Sequence, residues 1–176
     1  MKLSRLFLLL FVGFLFLPAC NQDPCKDTIC GANGECKEGG ICSCDPGYTT
    51  DDFGRCEVSI AERIAGNYHT TTTGCNIDDY VLSIQENPAV SGGMFIINIG
   101  EYTCNSTGGE LTIRANFTSD TQFDIEADEL YCDQYSIIGS GTVNEADSSI
   151  TIIYRAEYEI GGGSQIIENC TVEMAK

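Results

Sequence analysis

Eleven cysteines divide along the chain as one, six and four, and that division limits what the protein can fold into. Cys20 stands alone. Cys25, Cys30, Cys36, Cys42, Cys44 and Cys56 crowd together, while Cys75, Cys104, Cys132 and Cys170 spread over the rest. Ahead of Cys20, Lys2 and Arg5 form a short basic start, and Leu6 to Leu17 is an unbroken apolar run with one glycine. Such a run is too short to span a bilayer comfortably and leads to the small residue Ala19, which predicts a secretory signal over residues 1–19. Even groups of cysteines in an exported chain predict disulfides made in an oxidising compartment, and the odd total leaves Cys20 for another role.

Leu17-Pro18-Ala19-Cys20 resembles the lipobox of bacterial lipoproteins. The resemblance implies cleavage before Cys20, fatty acyl chains such as palmitate on that residue, and a lipid-anchored tether over residues 20–24. Each buried methylene contributes about 0.8 kcal/mol, so two or three chains hold a protein on a bilayer stably where one does not. Asn21 follows the cysteine where an Asp would imply inner-membrane retention. The resemblance therefore implies the outer membrane of a Gram-negative bacterium, with the periplasmic or cell-surface face left open. An ordinary secretory signal with a chance cysteine is the alternative.

Removing Lys2 and Arg5 with the signal takes the formal charge from −17 to −19. Such an acidic chain repels phosphate backbones and anionic headgroups, which argues against nucleic-acid partners and against peripheral electrostatic membrane binding. The acidic residues are scattered, as on a solvated surface.

Residues 25–57 have almost no core: Ile29, Ile41, Tyr48 and Phe53 are the large apolar residues besides cysteine. A segment so poor in apolar area needs staples. Cys42-Ser43-Cys44-Asp45-Pro46-Gly47-Tyr48, with Gly54-Arg55-Cys56 after it, resembles the epidermal-growth-factor-like (EGF-like) module. The resemblance implies the pairs Cys25–Cys36, Cys30–Cys42 and Cys44–Cys56; spacing alone allows fifteen pairings of six cysteines. A zinc site lacks ligand spacing and a nearby histidine. Calcium, which some such modules hold, lacks oxygens here, since Asn21 and Asp23 have no matching acidic partner later in the module. No metal or other cofactor is expected, and the module reads as a rigid spacer or a contact surface.

Residues 58–65 read as a linker or a single helical turn. Beyond them, apolar and polar residues alternate. Leu111, Ile113, Ala115 and Phe117 take turns with polar residues, as do Phe123, Ile125 and Ala127, and Ile150, Ile152, Tyr154 and Ala156. Eight strands are predicted over 66–73, 80–85, 94–99, 110–118, 122–128, 136–143, 149–158 and 164–174, joined by Gly-, Asn- and Ser-rich turns. The expected fold class is all-β: a disulfide-rich module, then an eight-stranded antiparallel up-and-down barrel over residues 66–176, with a β-sandwich as the alternative. Gly66-Asn67-Tyr68 resembles the G-x-W start of lipocalins, with Tyr in place of Trp, and Gly139-Ser140-Gly141-Thr142 is similar to a late strand of lipocalin-like domains in exported lipoproteins. On that barrel the loops bearing Cys75, Cys104 and Cys132 share one end. Cys75–Cys170 and Cys104–Cys132 are the expected bridges, with two other pairings of these four cysteines still open.

Catalytic patterns are sparse. His69 is the one histidine and lies in a Thr-rich strand without a nucleophile motif, and no phosphate-cradling loop or metalloprotease pattern occurs. The chain reads as a non-enzyme. An eight-stranded barrel is just wide enough to be filled by side chains or to hold one small ligand. Tyr80, Phe95, Phe117, Phe123 and Tyr154 are the candidates to line that interior, and Gly139 and Gly141 would leave space beside them. Two functions follow. One is binding of a small apolar ligand in the barrel; the other is surface interaction or adhesion, with protein or glycan partners meeting the module and loops of a plugged barrel.

Overall fold

The computed structural model describes residues 23–75, 77–102, 109–125, 135–144, 146–160 and 164–175. Cys20, Cys104 and Cys132 lie outside these residues, and with them the expected lipid site and the Cys104–Cys132 bridge. The chain is all-β, with a disulfide-stapled module followed by a closed barrel.

The module consists of strands β1 (Gly34–Lys37) and β2 (Ile41–Cys44), paired antiparallel, and the short strand β3 (Tyr48–Thr49). Its staples are Cys25–Cys36, Cys30–Cys42 and Cys44–Cys56. They substitute for a core: Cys30 and Cys56 are buried, while Ile29, Ile41 and Phe53 stay in water. In the last loop, Asp51 accepts from the Phe53 and Arg55 backbone amides at 2.9 and 2.8 Å and from the Arg55 guanidinium at 2.7 Å. The Arg55 guanidinium lies 5.3 Å from the centre of the Phe53 ring.

Residues 58–65, left open between a linker and a helical turn, are folded into the barrel. Strand β4 (Val58–Ser59) pairs with β3, and α1 (Ile60–Ile64) follows at once. Ser59 caps α1: its hydroxyl accepts from the Glu62 amide at 3.2 Å and donates to Glu86 at 2.8 Å. Ile60, Ala61 and Ile64 are fully buried and close one end of the barrel. Tyr68 reinforces this plug by donating its hydroxyl to the Ile64 carbonyl.

The barrel comprises β5 (Gly66–Thr73), β6 (Val81–Glu86), β7 (Gly93–Ile97), β8 (Thr112–Phe117), β9 (Gln122–Ile125), β10 (Tyr135–Val143), β11 (Ile150–Ile160) and β12 (Ser164–Ala175). Neighbours in sequence pair antiparallel, and β12 returns to β5 with Thr171 opposite Thr73 to close the ring. Closure removes the open edges that a sandwich would leave. Strand β7 stops at Ile97, two residues short of the predicted end. There Asn98 turns left-handed, with φ of 65°, and donates its side chain to the Val81 carbonyl at 2.8 Å.

Alternation decides what fills the interior. Leu82, Ile84, Met94, Ile96, Phe123 and Ile152 point inward and are essentially inaccessible. Phe117 and Phe123 meet edge to face, with ring centres 5.7 Å apart. The space expected beside Gly141 is taken by the Phe123 ring, and that beside Gly139 by Tyr154 and the Ile153 carbonyl.

The module docks on the plugged end. Gly47 donates its amide to the Ser119 carbonyl at 3.3 Å and accepts from Ile60 at 2.9 Å. A side chain on Gly47 would strike the Cα of Gly92 at 2.6 Å, and both glycines have positive φ, so the contact is restricted to glycine twice over.

The packing around Phe123 gives a first prediction. Phe123→Ala is expected to destabilise the disulfide-intact protein by about 3–5 kcal/mol through the cavity it leaves. Gly141→Leu should cost about 1–3 kcal/mol through overpacking. Both are read from urea unfolding midpoints.

Candidate functional site

The barrel brings the ends of β5 and β7 and the middles of β11 and β12 together on the side away from α1. Polar and reactive groups gather there under an apolar surround. Tyr80, just before β6, is anchored by Thr70, whose hydroxyl donates to the Tyr80 carbonyl at 2.9 Å and accepts from its amide at 3.0 Å. The Tyr80 phenol in turn accepts from the Gly100 amide at 2.9 Å. Tyr102 donates to Glu168 at 3.1 Å. Tyr154 sits directly opposite Cys170 in the β11–β12 ladder; its hydroxyl is buried near the Tyr80 and Tyr102 phenols and the Cys170 thiol, and among the described residues none meets it in full hydrogen-bond geometry.

Four of the five residues expected to line the interior do so: Tyr80, Phe117, Phe123 and Tyr154 are each at most 6% exposed. Phe95 does not. Met94 and Ile96 take the inward positions of β7, so Phe95 faces outward between Gln85 and Arg114 of the flanking strands. Phe117 and Phe123 flank the β8–β9 turn at the plugged end, whereas Tyr80 and Tyr154 reach the polar cluster.

Cys75 and Cys170 are neighbours but are free thiols, so the expected bridge between them is not closed. The register explains the offset. With Thr171 opposite Thr73, the position facing Cys170 is Gly74, and Cys75 stands one step beyond it, where the chain has already left the ladder. His69 lies on the outer wall opposite Val81 and Ala175, away from the cluster.

Tyr102 and Glu168 went unnoticed in the sequence, although a signal for Glu168 was present. Cys170, Val172 and Met174 share the inward face of β12, and the same period of two puts a carboxylate on that face at 168.

Burial favours the protonated forms of the Cys75 thiol and of the Tyr80, Tyr102 and Tyr154 phenols. Burial pushes the Cys75 thiol up to about 12, with the Cys170 thiol and Glu168 adding to the effect. Burial likewise raises Tyr80 to about 12, against the opposing pull of the Gly100 amide. Tyr102 is raised by burial and then by the Glu168 charge, and Tyr154 by burial and then by Cys170. At neutral pH Cys75 is therefore held as the thiol, the less nucleophilic form. Among the described residues, no group of three or more His, Cys, Asp and Glu is placed to hold a metal ion. The arrangement can donate and accept hydrogen bonds, and its two thiols can be oxidised together.

Compared against protein-family models, curated proteins and solved structures, the chain matches none.

Raised acid constants fix a pH dependence. Groups held neutral by the fold contribute stability that is fully present below their unfolded values, 9.0 for the thiol and 10.0 for the phenol, and lost as pH rises toward about 12. The urea midpoint of the protein with reduced Cys75 and Cys170 should therefore fall across that alkaline window. Tyr80→Phe should flatten the decline.

Proposed function

We propose that this chain is a lipid-anchored, non-enzymatic interaction protein of the Gram-negative outer membrane. Acyl chains on Cys20 hold it to the bilayer, an EGF-like module and a lipocalin-like barrel form its body, and protein or glycan partners meet the module and the barrel loops. The observation that carries this reading is the filled interior: the Phe123 ring occupies the space above Gly141, and α1 plugs the end beneath. A barrel packed in this way supports surface contact better than storage of a large apolar cargo. The outward position of His69 and the protonated state of Cys75 support a binding role over catalysis.

A second reading is favoured by the Tyr154 hydroxyl, which is buried and, among the described residues, in full hydrogen-bond geometry with none. It places a small ligand in the barrel mouth, with a polar group against Tyr154 and Tyr80 and its apolar part on the surrounding core. Native mass spectrometry of protein extracted from membranes distinguishes the two. An empty protein supports the interaction reading, and a retained small molecule displaced by Tyr154→Phe supports the second.

In the oxidising compartment, Cys75 and Cys170 would close a fourth bridge, passing two electrons and two protons to a disulfide donor. A non-reduced peptide map should contain that linkage; alkylated Cys75 and Cys170 would argue against it. Cys20→Ser should shift the protein from the membrane fraction to the soluble fraction. A variant that stays with membranes would end the anchor reading.

A further inference from the structure

We infer that Ile29 and Ile41 form an apolar foot by which the stapled module rests in the leaflet that holds the Cys20 acyl chains; this rests on the anchor reading above. Both side chains are well exposed, Ile29 at 77% and Ile41 at 70%. Each immediately precedes one half of the Cys30–Cys42 bridge, whose Cα atoms are 5.3 Å apart, so the two are held in one neighbourhood.

That neighbourhood is also where the chain leaves the module toward Cys20. The Pro24 carbonyl accepts from the Thr28 hydroxyl at 3.1 Å, and a side chain at Gly40 would come within 3.0 Å of the same carbonyl. Thr28 and Gly40 are the residues just before Ile29 and Ile41. From Pro24 back to Cys20 is four residues, a reach of at most about 14 Å when fully extended. A chain whose acylated end is that close cannot lift its first residues far from the headgroups. The isoleucines at the root of the tether are then the first apolar side chains to meet the interface.

Charge does not drive the approach. Lys26 and Lys37 stand among Asp23, Asp27, Glu35 and Glu38, and Lys37, directly across the β1–β2 ladder from Ile41, is paired with Glu35 at 2.6 Å, so the short tether and the two exposed isoleucines carry the contact. Phe53 is equally exposed but lies in the last loop of the module, with the Arg55 guanidinium against its ring. It has no such link to the tether.

The test uses the acylated mature protein in vesicles of phosphatidylethanolamine and phosphatidylglycerol, with or without lipids brominated on their acyl chains. The chain contains no tryptophan, so Ile29→Trp and Ile41→Trp each supply a single tryptophan that can be excited apart from the tyrosines. Ile153→Trp, on the exposed barrel wall, is the comparison. The expected result is blue-shifted emission quenched by brominated lipid at 29 and 41, and water-like, unquenched emission at 153. Because tryptophan itself favours interfaces, the native residues are read separately. Amine labelling of Lys26 and Lys37 should slow when the unsubstituted protein is on vesicles, and return to its solution rate in the Ile29→Ser/Ile41→Ser double variant. Co-sedimenting protein with unquenched tryptophans, quenching no stronger than at 153, or unprotected lysines overturns the foot alone. Failure of the acylated protein to co-sediment removes the anchor reading and the foot with it, so the two failures are distinguishable.

Discussion

Pairing between the last strand and the first holds the barrel together. Five residues of β12, from Thr171 to Ala175, lie against Thr73 back to His69. Without that seam the eight strands would be an open sheet, with two unpaired edges and its apolar face half covered. With it, Val172 and Met174 are carried into the same interior as Leu82, Ile84 and Ile96, and all are essentially inaccessible. The seam also sets the chemistry of the mouth. It brings Cys170 beside Cys75, and through the β11 ladder it puts Tyr154 opposite Cys170.

The other end is organised by close backbone approach. Gly47 meets Gly92 and bonds to both Ser119 and Ile60, while Tyr48 and Thr49 pair with Ser59 and Val58. Disulfides hold the module internally, and main-chain hydrogen bonds hold it to the barrel. These bonds tolerate changes in surface side chains but not a bulky residue at the two glycines. The result is a polarity along the molecule: stapled module and plug at one end, tyrosines and thiols at the other.

Much of this was legible in the sequence because it rests on period and parity. Alternation in Leu111–Phe117 and Ile150–Ala156 identifies strands with one buried face, and uninterrupted turn chemistry between them points to sequential antiparallel pairing. Even cysteine groups separate the stapled module from the barrel. What stayed hidden has physical reasons. In Gly93-Met94-Phe95-Ile96-Ile97 both faces are apolar, so period two does not say which set turns inward, and Phe95 was placed on the wrong one. Ile60, Ala61 and Ile64 span a single helical turn, too short for a periodic signal, so the plug looks like a linker. Gly139 and Gly141 suggest empty space only until a facing aromatic is known to fill it. Tyr102 comes from a loop, where alternation gives no direction.

The union of β3 with β4 has a mechanical consequence. The Cys44–Cys56 bridge shortcuts the loop between those residues, and β4 runs into α1 without an intervening turn. Tension applied at the amino-terminal side would therefore cross a covalent sulfur link and reach the barrel wall within a few residues. There is little slack chain between the two bodies to stretch first. A pull on this protein loads the plug and its seat as one piece, and orientation imposed at one end is inherited by the other.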